Sequence, residues 1–530
     1  MFTPMRICSS AEMREIDQTA EHEYGIDAML LMENAGRAAA QIILEKYPSA
    51  GRTSEILVFA GKGNNAGDAF VVTRRLLCLE RKVRVFHLQE ESAYKGATLR
   101  NFEILKALKA KLTFVESTAH LKEFFDSSHG PFMVIDGILG TGLKANLEGI
   151  FFDTVELINS LNTDVIALDI PTGVNGDVGA IHGNSVLATM TISFGFPKLG
   201  HFLPPGATRR GELVNVDISL PSRFRKEGDK FLLMKNPMSA LIKERDRYGH
   251  KNSFGHTLLI GGSPGRLGAV AMAATACHKM GTGLVTVSSW PESFDVLVTK
   301  LPYETMAVPL HLQGPEYEVY KQILNSYSSI VVGPGLGLNP KGKHLLQELL
   351  LSYQGPIVID ADALNLIAEY KLHDHLVKRQ NPTVLTPHPG EMARLLGVDK
   401  EVVSNDPVKA VRDAVQLTHA TVLLKGAATL IGSPEDILYL NHYPNDGMAT
   451  AGSGDVLAGM IGGLIGQRMD PFKATLLGVY LHSLAGDFAA QTHGHRSMTA
   501  PDIIENIGNA FKELKRSEVN VPMEGRVYLL

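Results

Sequence analysis

Cysteine is scarce in this chain of 530 residues, and Cys8, Cys78 and Cys277 lie far apart. An odd, scattered set offers neither a disulfide framework nor metal-site spacing, which favours a reducing, cytoplasmic environment. No stretch reaches about 18 uninterrupted apolar residues, and the N-terminal sequence MFTPMRICSSAEMREID lacks the apolar core of a signal peptide. We therefore expect no membrane association.

An excess of basic charge is also absent. The 51 Lys and Arg residues are outnumbered by 56 Asp and Glu, which gives a net charge of −5 and argues against a protein that coats nucleic acid. Hydrophobic residues make up 45% of the chain and charged residues 20%, as in ordinary globular proteins. The length exceeds what one core usually supports, so two domains are expected.

The recurrent pattern is a short apolar run, a Gly-rich turn and a helical segment. Runs such as EILVFA and PIVID are continuously apolar rather than alternating, as parallel strands buried on both faces are. The pattern predicts an α/β class with doubly wound parallel sheets. A charged stretch without periodicity, PSRFRKEGDK at 221–230, places the domain boundary near 225 and predicts domains 1–225 and 226–530.

Three motifs in the first half each follow an apolar run: GKGNNAGD at 61–68, DGILGTG at 136–142 and DIPTG at 169–173. Ligands of open α/β sheets bind at the carboxyl ends of strands, and helix-start amides attract anions. One aspartate alone is more often a helix cap, and a lone Gly/Asn turn is equally open to a structural explanation. Three such turns together favour a ligand site.

The strongest motif of the second half is NDGMATAGSGD at 445–455, where small residues run directly into a helical segment. Amides of Gly452, Ser453 and Gly454 would surround an anion at the helix start. Asp455 would then be placed to accept a proton from an attacking hydroxyl. Lys425, at the end of ATVLLKG, would hold nucleotide phosphates; its structural alternative is an edge lysine beside a tight turn.

The first-half motifs, with the helical segment AMLLMENAGRAAA before them, resemble the NAD(P)H-hydrate epimerase (YjeF N-terminal) family over residues 8–220. The resemblance implies a Rossmann-like fold, a potassium ion and Asp169 as the acid/base group, with Lys198 as a partner or else a surface lysine. This chain has Ala66 and Ala69 where that family usually has glycine; a positive φ at Ala66 would cost about 1 kcal/mol. The implied substrate contacts are Asn64, Asn65, Ala66, Gly67, Asp68, Gly140, Thr141, Gly142, Leu143, Lys144, Ala145, Asn146 and Asp169, and the implied potassium ligands are Asn65, Asp136 and Thr172.

The second half, through KGAAT followed by ATAGSGD, resembles the ribokinase-like superfamily, whose fold is an α/β/α sandwich. Segments GHK…GH, GPGLG, DADAL and TPHPGEM point within it to the NAD(P)H-hydrate dehydratase branch over 240–510. The implied hydrate contacts are Ala269, Gly335, His388 and Asp455, and the implied nucleotide contacts are Lys425, Gly426, Ala427, Ala428, Thr429 and Gly454. His388 taken alone would be read as a structural histidine.

Together the two resemblances imply a bifunctional repair enzyme, a homo-oligomer that binds small molecules and neither nucleic acid nor membrane. It would interconvert R and S hydrates of NADH and NADPH, and dehydrate the S form with ADP and a magnesium ion, releasing AMP and phosphate. Asp455 would be the general base. The residues themselves do not separate ADP from ATP. Two alternatives stay open: a ribokinase-like small-molecule kinase, and an N-terminal half that is only a binding or scaffold module.

Overall fold

The computed structural model describes residues 5–127, 130–143, 145–516 and the backbone of 527–529. The described chain divides into two compact units. One contains residues 6–228 together with 527–529, and the other contains residue 5 and residues 229–516. Each unit is built around its own sheet.

The first unit has a sheet in the order β19-β8-β7-β6-β5-β2-β3-β4, with parallel pairing throughout. The strands up to residue 228 are β1 (Met5–Arg6, on the edge of the other sheet), β2 (Glu55–Ala60), β3 (Val83–His87), β4 (Lys111–Phe114), β5 (Phe132–Gly137), β6 (Val165–Leu168), β7 (Met190–Phe194) and β8 (Glu212–Val216). The helices are α1 (Ser10–Tyr24), α2 (Ala28–Lys46), α3 (Asn64–Cys78), α4 (Gly96–Ala107), α5 (Thr118–Ser127), α6 (Gly149–Ser160) and α7 (Arg223–Lys226).

Consecutive residues of β2 face opposite sides of this sheet and are all buried. Ile56 and Val58 belong to one apolar core, and Leu57 and Phe59 belong to a second. A strand buried on both faces needs a continuous apolar sequence, which explains the run EILVFA. The Rossmann-like class predicted for this half is confirmed.

The second unit has a sheet in the order β1-β9-β18-β17-β16-β15-β14-β13-β10-β11-β12. Its strands are β9 (Lys230–Leu232), β10 (His256–Ile260), β11 (Leu284–Ser289), β12 (Met306–Pro309), β13 (Ser329–Val332), β14 (Ile357–Ile359), β15 (Thr383–Leu385), β16 (Thr421–Leu424), β17 (Ala428–Gly432) and β18 (Leu438–His442). Its helices are α8 (Lys235–Ser239), α9 (Leu267–Lys279), α10 (Pro291–Val298), α11 (Pro315–Leu324), α12 (Pro340–Ser352), α13 (Asp362–Glu369), α14 (His373–Lys378), α15 (Pro389–Leu396), α16 (Lys400–Asn405), α17 (Pro407–Thr418), α18 (Ser453–Gly466), α19 (Pro471–His493) and α20 (Ala500–Lys515). The last described strand, β19 (Val527–Leu529), pairs with β8 of the first sheet.

Strands β10 to β16 of the second sheet are parallel, and β16, β17 and β18 form an antiparallel meander. Ile330, Val331 and Val332 of β13 are all fully buried, so helices cover both faces of the central strands. This is the α/β/α layering predicted for the second half.

The charged stretch at 221–230 belongs largely to the first unit. Phe224 is buried, and Arg6 Nη1 donates to its carbonyl oxygen at 2.7 Å. The division predicted near 225 therefore falls inside α7, while the compact units separate between Gly228 and Asp229. The polar composition of the segment does not reveal that it belongs to the first unit, because one buried residue, Phe224, attaches it there.

Each sheet has one point where the chain order reverses. In the first sheet it lies between β2 and β5, and in the second between β10 and β13. Crevices at such points, outside the carboxyl ends of the strands, are where open α/β sheets bind ligands. Among the described residues, no helix is long and apolar enough to cross a membrane.

Close packing of α18 on α9 gives a stability prediction for the second unit. A Cβ added at Gly459 would clash with the backbone carbonyl of Ala273, whereas one at Gly508 of α20 would meet nothing within 4 Å. We expect Gly459→Ala to lower the free energy of unfolding by about 3 kcal/mol through overpacking. Gly508→Ala should raise it by up to about 1 kcal/mol. Urea titrations of both variants test this; equal stabilities would contradict the packing described.

Candidate active sites

The first unit contains a cavity of about 900 Å³ at its reversal point. Because β2, β5 and β6 are parallel neighbours, the turns that follow them meet there. The sequence-predicted residues that line it are Asn64, Asn65, Asp68, Gly140, Thr141, Gly142, Leu143, Ala145, Asn146 and Asp169.

The structure does not place the other three predicted contacts on the cavity wall: two lie elsewhere, and one is not described. Ala66 and Gly67 are buried in the first turn of α3 and do not line the cavity; a Cβ on Gly67 would touch the Met32 sulfur. Lys144 lies outside the described residues. Ala66 is helical, not among the residues of positive φ, so the energetic penalty considered for it does not arise.

Asp169 and Lys198 form a buried ion pair at the cavity wall. Lys198 is only 1% exposed, and its Nζ contacts Asp169 Oδ1 and donates to the Phe194 carbonyl at 3.1 Å. The surface alternative for Lys198 is therefore wrong. The pair brings a lysine and a carboxyl group into direct contact at the cavity wall.

The backbone at Asp169 has a φ of 61°, a left-handed conformation uncommon for residues other than glycine. His201 holds it there: its Nε2 lies 2.8 Å from the Asp169 carbonyl, and its Nδ1 accepts the Lys198 amide at 3.0 Å. Burial and the nearby Lys198 hold the pKa of His201 well below its usual value. The ring is thus neutral, with its hydrogen on Nε2.

Two further acids face this pair, and one of them has no motif around it. Asp17, from the middle of α1, and Asp68, from α3, both line the cavity. Burial raises the pKa of Asp17 to about 6, with Lys198 opposing and Asp169 adding to the shift. Burial, Asp169 and Asp17 raise the pKa of Asp68 well above its usual value. Asp17 is missed by sequence reasoning because nothing near it departs from an ordinary amphipathic helix.

Asp136 and Thr172 lie buried behind the cavity wall. Asp136 Oδ1 accepts the Thr172 hydroxyl at 2.7 Å, and its Oδ2 accepts the Thr172 amide at 2.8 Å. Burial raises the pKa of Asp136 to about 6, against the hydrogen bonds from Thr172. Asn65 adds an amide oxygen and nitrogen that are buried without a hydrogen-bond partner.

In the second unit, Lys425 connects the predicted motifs. Its Nζ lies 2.7 Å from Asp360 Oδ1, and a Cβ on Gly454 would lie 3.1 Å from that Nζ. Burial would lower the pKa of Lys425, but the carboxylates of Asp360, Glu391 and Asp455 raise it overall. The lysine is therefore a fixed positive charge above the start of α18.

Asp455 lies in the first turn of α18, which begins at Ser453 after Gly452. Burial and the Asp360 carboxylate raise the pKa of Asp455 to about 7, while Lys425 opposes the shift. A carboxyl with a pKa near neutrality can accept a proton and return it. The Ser453 amide donates to the Thr450 carbonyl at 3.4 Å, and amides of a first helical turn that have no helical partner generally point at an anion placed there.

His388 caps α15 and contacts Glu391. Its Nδ1 accepts the amides of Gly390 and Glu391 at 2.9 and 3.2 Å, which leaves its hydrogen on Nε2. Burial, Lys425 and Arg394 lower the pKa of His388. Burial raises the pKa of Glu391 to about 7. Glu391 is a further site candidate. It belongs to the motif TPHPGEM, but the motif alone predicts no role for it.

The remaining predicted hydrate contacts lie beside each other at the second reversal point. A Cβ on Gly335 would lie 3.3 Å from the Ala269 Cβ. Asp362 Oδ2 accepts the Gly337 amide at 2.8 Å and Arg266 Nη1 at 3.0 Å, which ties this loop to the strand-end segment that contains Asp360.

Five of the predicted nucleotide contacts are consecutive: residues 425–427 form the turn between β16 and β17, and Ala428 and Thr429 begin β17. Gly426 and Ala427 are exposed, Ala428 and Thr429 are half-buried, and Thr429 Oγ1 donates to the Gly426 carbonyl at 3.1 Å. The exposed backbone of this turn continues directly from Lys425, so a nucleotide could lie along it with its phosphates at the lysine.

Comparison with known proteins matches both halves. The family described as YjeF-related protein N-terminus matches residues 28–200, and the family described as NAD(P)H-hydrate dehydratase matches residues 257–509. The chain is 36% identical over 532 residues to the bifunctional NAD(P)H-hydrate repair enzyme Nnr of Moorella thermoacetica, covering 98% of this chain and 99% of that protein. The chain belongs to the family of bifunctional NAD(P)H-hydrate repair enzymes.

Other members of the bifunctional NAD(P)H-hydrate repair family include the Escherichia coli enzyme, at 31% identity over 95% of this chain and 93% of that protein. Among solved structures, the ADP/ATP-dependent NAD(P)H-hydrate dehydratase from Bacillus subtilis, co-crystallised with ATP and Mg²⁺, is 26% identical. The aligned region covers 53% of this chain and 98% of the Bacillus subtilis chain, with a TM-score of 0.47.

Proposed function

We propose that the first unit interconverts the R and S hydrates of NADH and NADPH, and that the second dehydrates the S form with ADP. Membership of a bifunctional repair family over nearly the whole chain supports both activities. One observation carries the division of labour: each unit has its own acid/base candidate at a strand or helix end, Asp169 beside the cavity of the first unit and Asp455 at the start of α18 in the second.

In the first unit, Asp169 is the group that moves the proton of the C6 hydroxyl. The buried Lys198 contacts this carboxylate, and His201 fixes its backbone. The cavity walls formed by residues 62–65 and 138–143 would enclose the hydrated ring and exclude bulk water. Ala66 and Gly67 would contribute through their backbone alone.

Asn65, Asp136 and Thr172 would hold a potassium ion. The unpartnered amide oxygen of buried Asn65, the Asp136 carboxylate and the Thr172 hydroxyl are hard oxygen donors suited to a hard cation. Bound there, the ion would supply positive charge behind the turn that begins at Asp136.

If that site exists, potassium should stabilise the first unit. Replacing lithium by potassium at equal ionic strength should raise the melting temperature by a few degrees, about 1 kcal/mol of binding free energy. Differential scanning calorimetry of the wild type and of Asp136→Asn tests this. The variant should lose the difference between the two salts; an equal response to both salts in the wild type would rule out the site.

In the second unit, Asp455 takes the proton of the C6 hydroxyl while that oxygen attacks the terminal phosphoryl group of ADP. Lys425 and the first-turn amides of α18 neutralise the charge that develops on the transferred group. The ring nitrogen lone pair then expels phosphate from C6, and the resulting N1–C6 iminium loses a proton from C5, which forms the C5–C6 double bond and restores the dihydronicotinamide. Ala269, Gly335 and His388 would contact the hydrate.

The nucleotide would lie along residues 425–429, with Gly454 beside its phosphates. Magnesium would be bound mainly by those phosphates, as is usual for this ion; the described residues contain no cluster of three His, Cys, Asp or Glu that could hold a metal. ADP rather than ATP is the donor suggested by the family resemblance. We also place the protein in the cytoplasm, as a homo-oligomer.

The alternative of a small-molecule kinase with an N-terminal scaffold is not favoured, because it leaves the first unit's buried acids unexplained. Incubating the protein with racemic hydrate and either ADP or ATP separates the two. Repair restores dihydronicotinamide absorbance and releases phosphate, whereas a kinase would accumulate a stable phosphorylated product.

A further inference from the structure

Asp17 lines the epimerase cavity without any role in the function proposed so far. It projects from the middle of α1, and its Oδ1 is buried without a hydrogen-bond partner in the described structure. An unpaired buried carboxylate oxygen is costly unless it carries a proton or meets a ligand. The charged and titratable groups around it are Lys198, Asp169 and Asp68 from other elements, and Arg14 and Glu21 from its own helix.

Asp17 and Asp169 have opposite surroundings although they face the same space. Asp169 is paired with the Lys198 ammonium, which stabilises its anion. Asp17 has neither such a pair nor a donor to Oδ1, and the Asp169 charge disfavours a second anion beside it. Two carboxyls held in contrasting environments are the usual arrangement of a base and an acid.

Inversion of the substrate at C6 needs both a base and an acid. C6 of the hydrate carries a hydroxyl and is bonded to the ring nitrogen, so it is a hemiaminal carbon. Inverting it requires removal of the hydroxyl proton and delivery of a proton to the nitrogen that leaves. One carboxylate could perform both transfers only by carrying the proton from the oxygen to the nitrogen, whereas two carboxyls can serve the two atoms separately.

We infer that Asp17 is the general acid of the epimerase, paired with Asp169 as the base; this rests on the proposed epimerase function. Asp169 removes the C6 hydroxyl proton, the C6–N1 bond breaks, and C6 becomes an aldehyde. The bonding pair moves to N1, which takes the proton of Asp17. Rotation about C5–C6 presents the other face of the aldehyde; ring closure then returns one proton to Asp17 and the other to the new hydroxyl.

The test is Asp17→Asn in the full-length protein, with Glu15→Gln as the matched control, since Glu15 is an exposed carboxyl of the same helix that does not line the cavity. Conversion of pure R hydrate to S hydrate is followed by chromatography between pH about 5 and 8. We expect kcat to fall at least about 100-fold in Asp17→Asn with KM within twofold, and to stay within twofold of wild type in Glu15→Gln. Dehydration of S hydrate should be unchanged in both.

The pH profile separates an acid from a merely structural residue. Wild-type kcat/KM should fall as pH rises through the Asp17 pKa of about 6, because the acid loses its proton, and this alkaline limb should vanish in Asp17→Asn. A kcat within threefold of wild type, a change in KM alone, or an alkaline limb removed by Asp68→Asn instead would overturn the inference. If wild type fails to interconvert the epimers, the proposed function itself is wrong; if Asp169→Asn is inactive while Asp17→Asn is fully active, only the inference fails.

Discussion

Asp455→Ala should abolish dehydration of the hydrate and leave epimerisation intact. Without the carboxylate, nothing at the start of α18 accepts the hydroxyl proton, and loss of a general base usually lowers the rate by about 10²–10⁴-fold. Phosphate release from S hydrate and ADP gives the first rate, and chromatography of the two epimers gives the second. Loss of both activities in a folded variant would contradict separate sites.

Asp374→Ala provides the control, because Asp374 is an exposed aspartate of the same unit; it should retain full activity.

The role of Asp455 as a base also predicts how the dehydratase activity depends on pH. Since the pKa of Asp455 is raised to about 7 by burial and Asp360, dehydratase kcat/KM should fall as pH drops below about 7 and the carboxyl takes up a proton. An acid limb that persists in the residual activity of Asp455→Ala would assign it to another group.

Asp169→Asn should abolish epimerisation and spare dehydration. Asparagine fits the left-handed backbone at this position but cannot take up the hydroxyl proton, so we expect a loss of about 10³-fold. The variant should also melt at a lower temperature, because Lys198 would keep a buried charge without its anion. Asp126→Asn, an exposed aspartate of α5, should change neither property.

The double variant Asp169→Asn/Lys198→Met distinguishes stability from chemistry. Removing the ammonium should recover much of the lost melting temperature, since the unpaired charge is gone. Epimerisation should remain absent. Recovery of activity together with stability would show that Asp169 acts only as a structural partner of the lysine.

Layered parallel sheets and the position of the first unit's cavity could be predicted from the sequence, because both depend on local signals. Apolar runs such as EILVFA describe strands buried on both faces, and a small-residue turn before Asp455 describes a helix start. The loop residues around Asp169 fall at the first crevice for the same reason.

Partners that are distant in sequence could not be predicted in this way. Lys425 pairs with Asp360, and Asp17 reaches the cavity from a helix with no motif. Each depends on which elements the fold places side by side, and each residue taken alone is indistinguishable from a surface charge. The exact end of the first unit is not visible in the sequence either, because one buried residue, Phe224, lies within a polar stretch.

The positive φ of Asp169 has an evolutionary consequence. The residues that the left-handed region accepts most easily are glycine and asparagine, and both are one nucleotide change away from an aspartate codon. Mutation at this codon therefore leads readily to proteins that fold well but cannot interconvert the epimers. A lineage that no longer meets the R hydrate should lose the first activity by this route while it keeps the second.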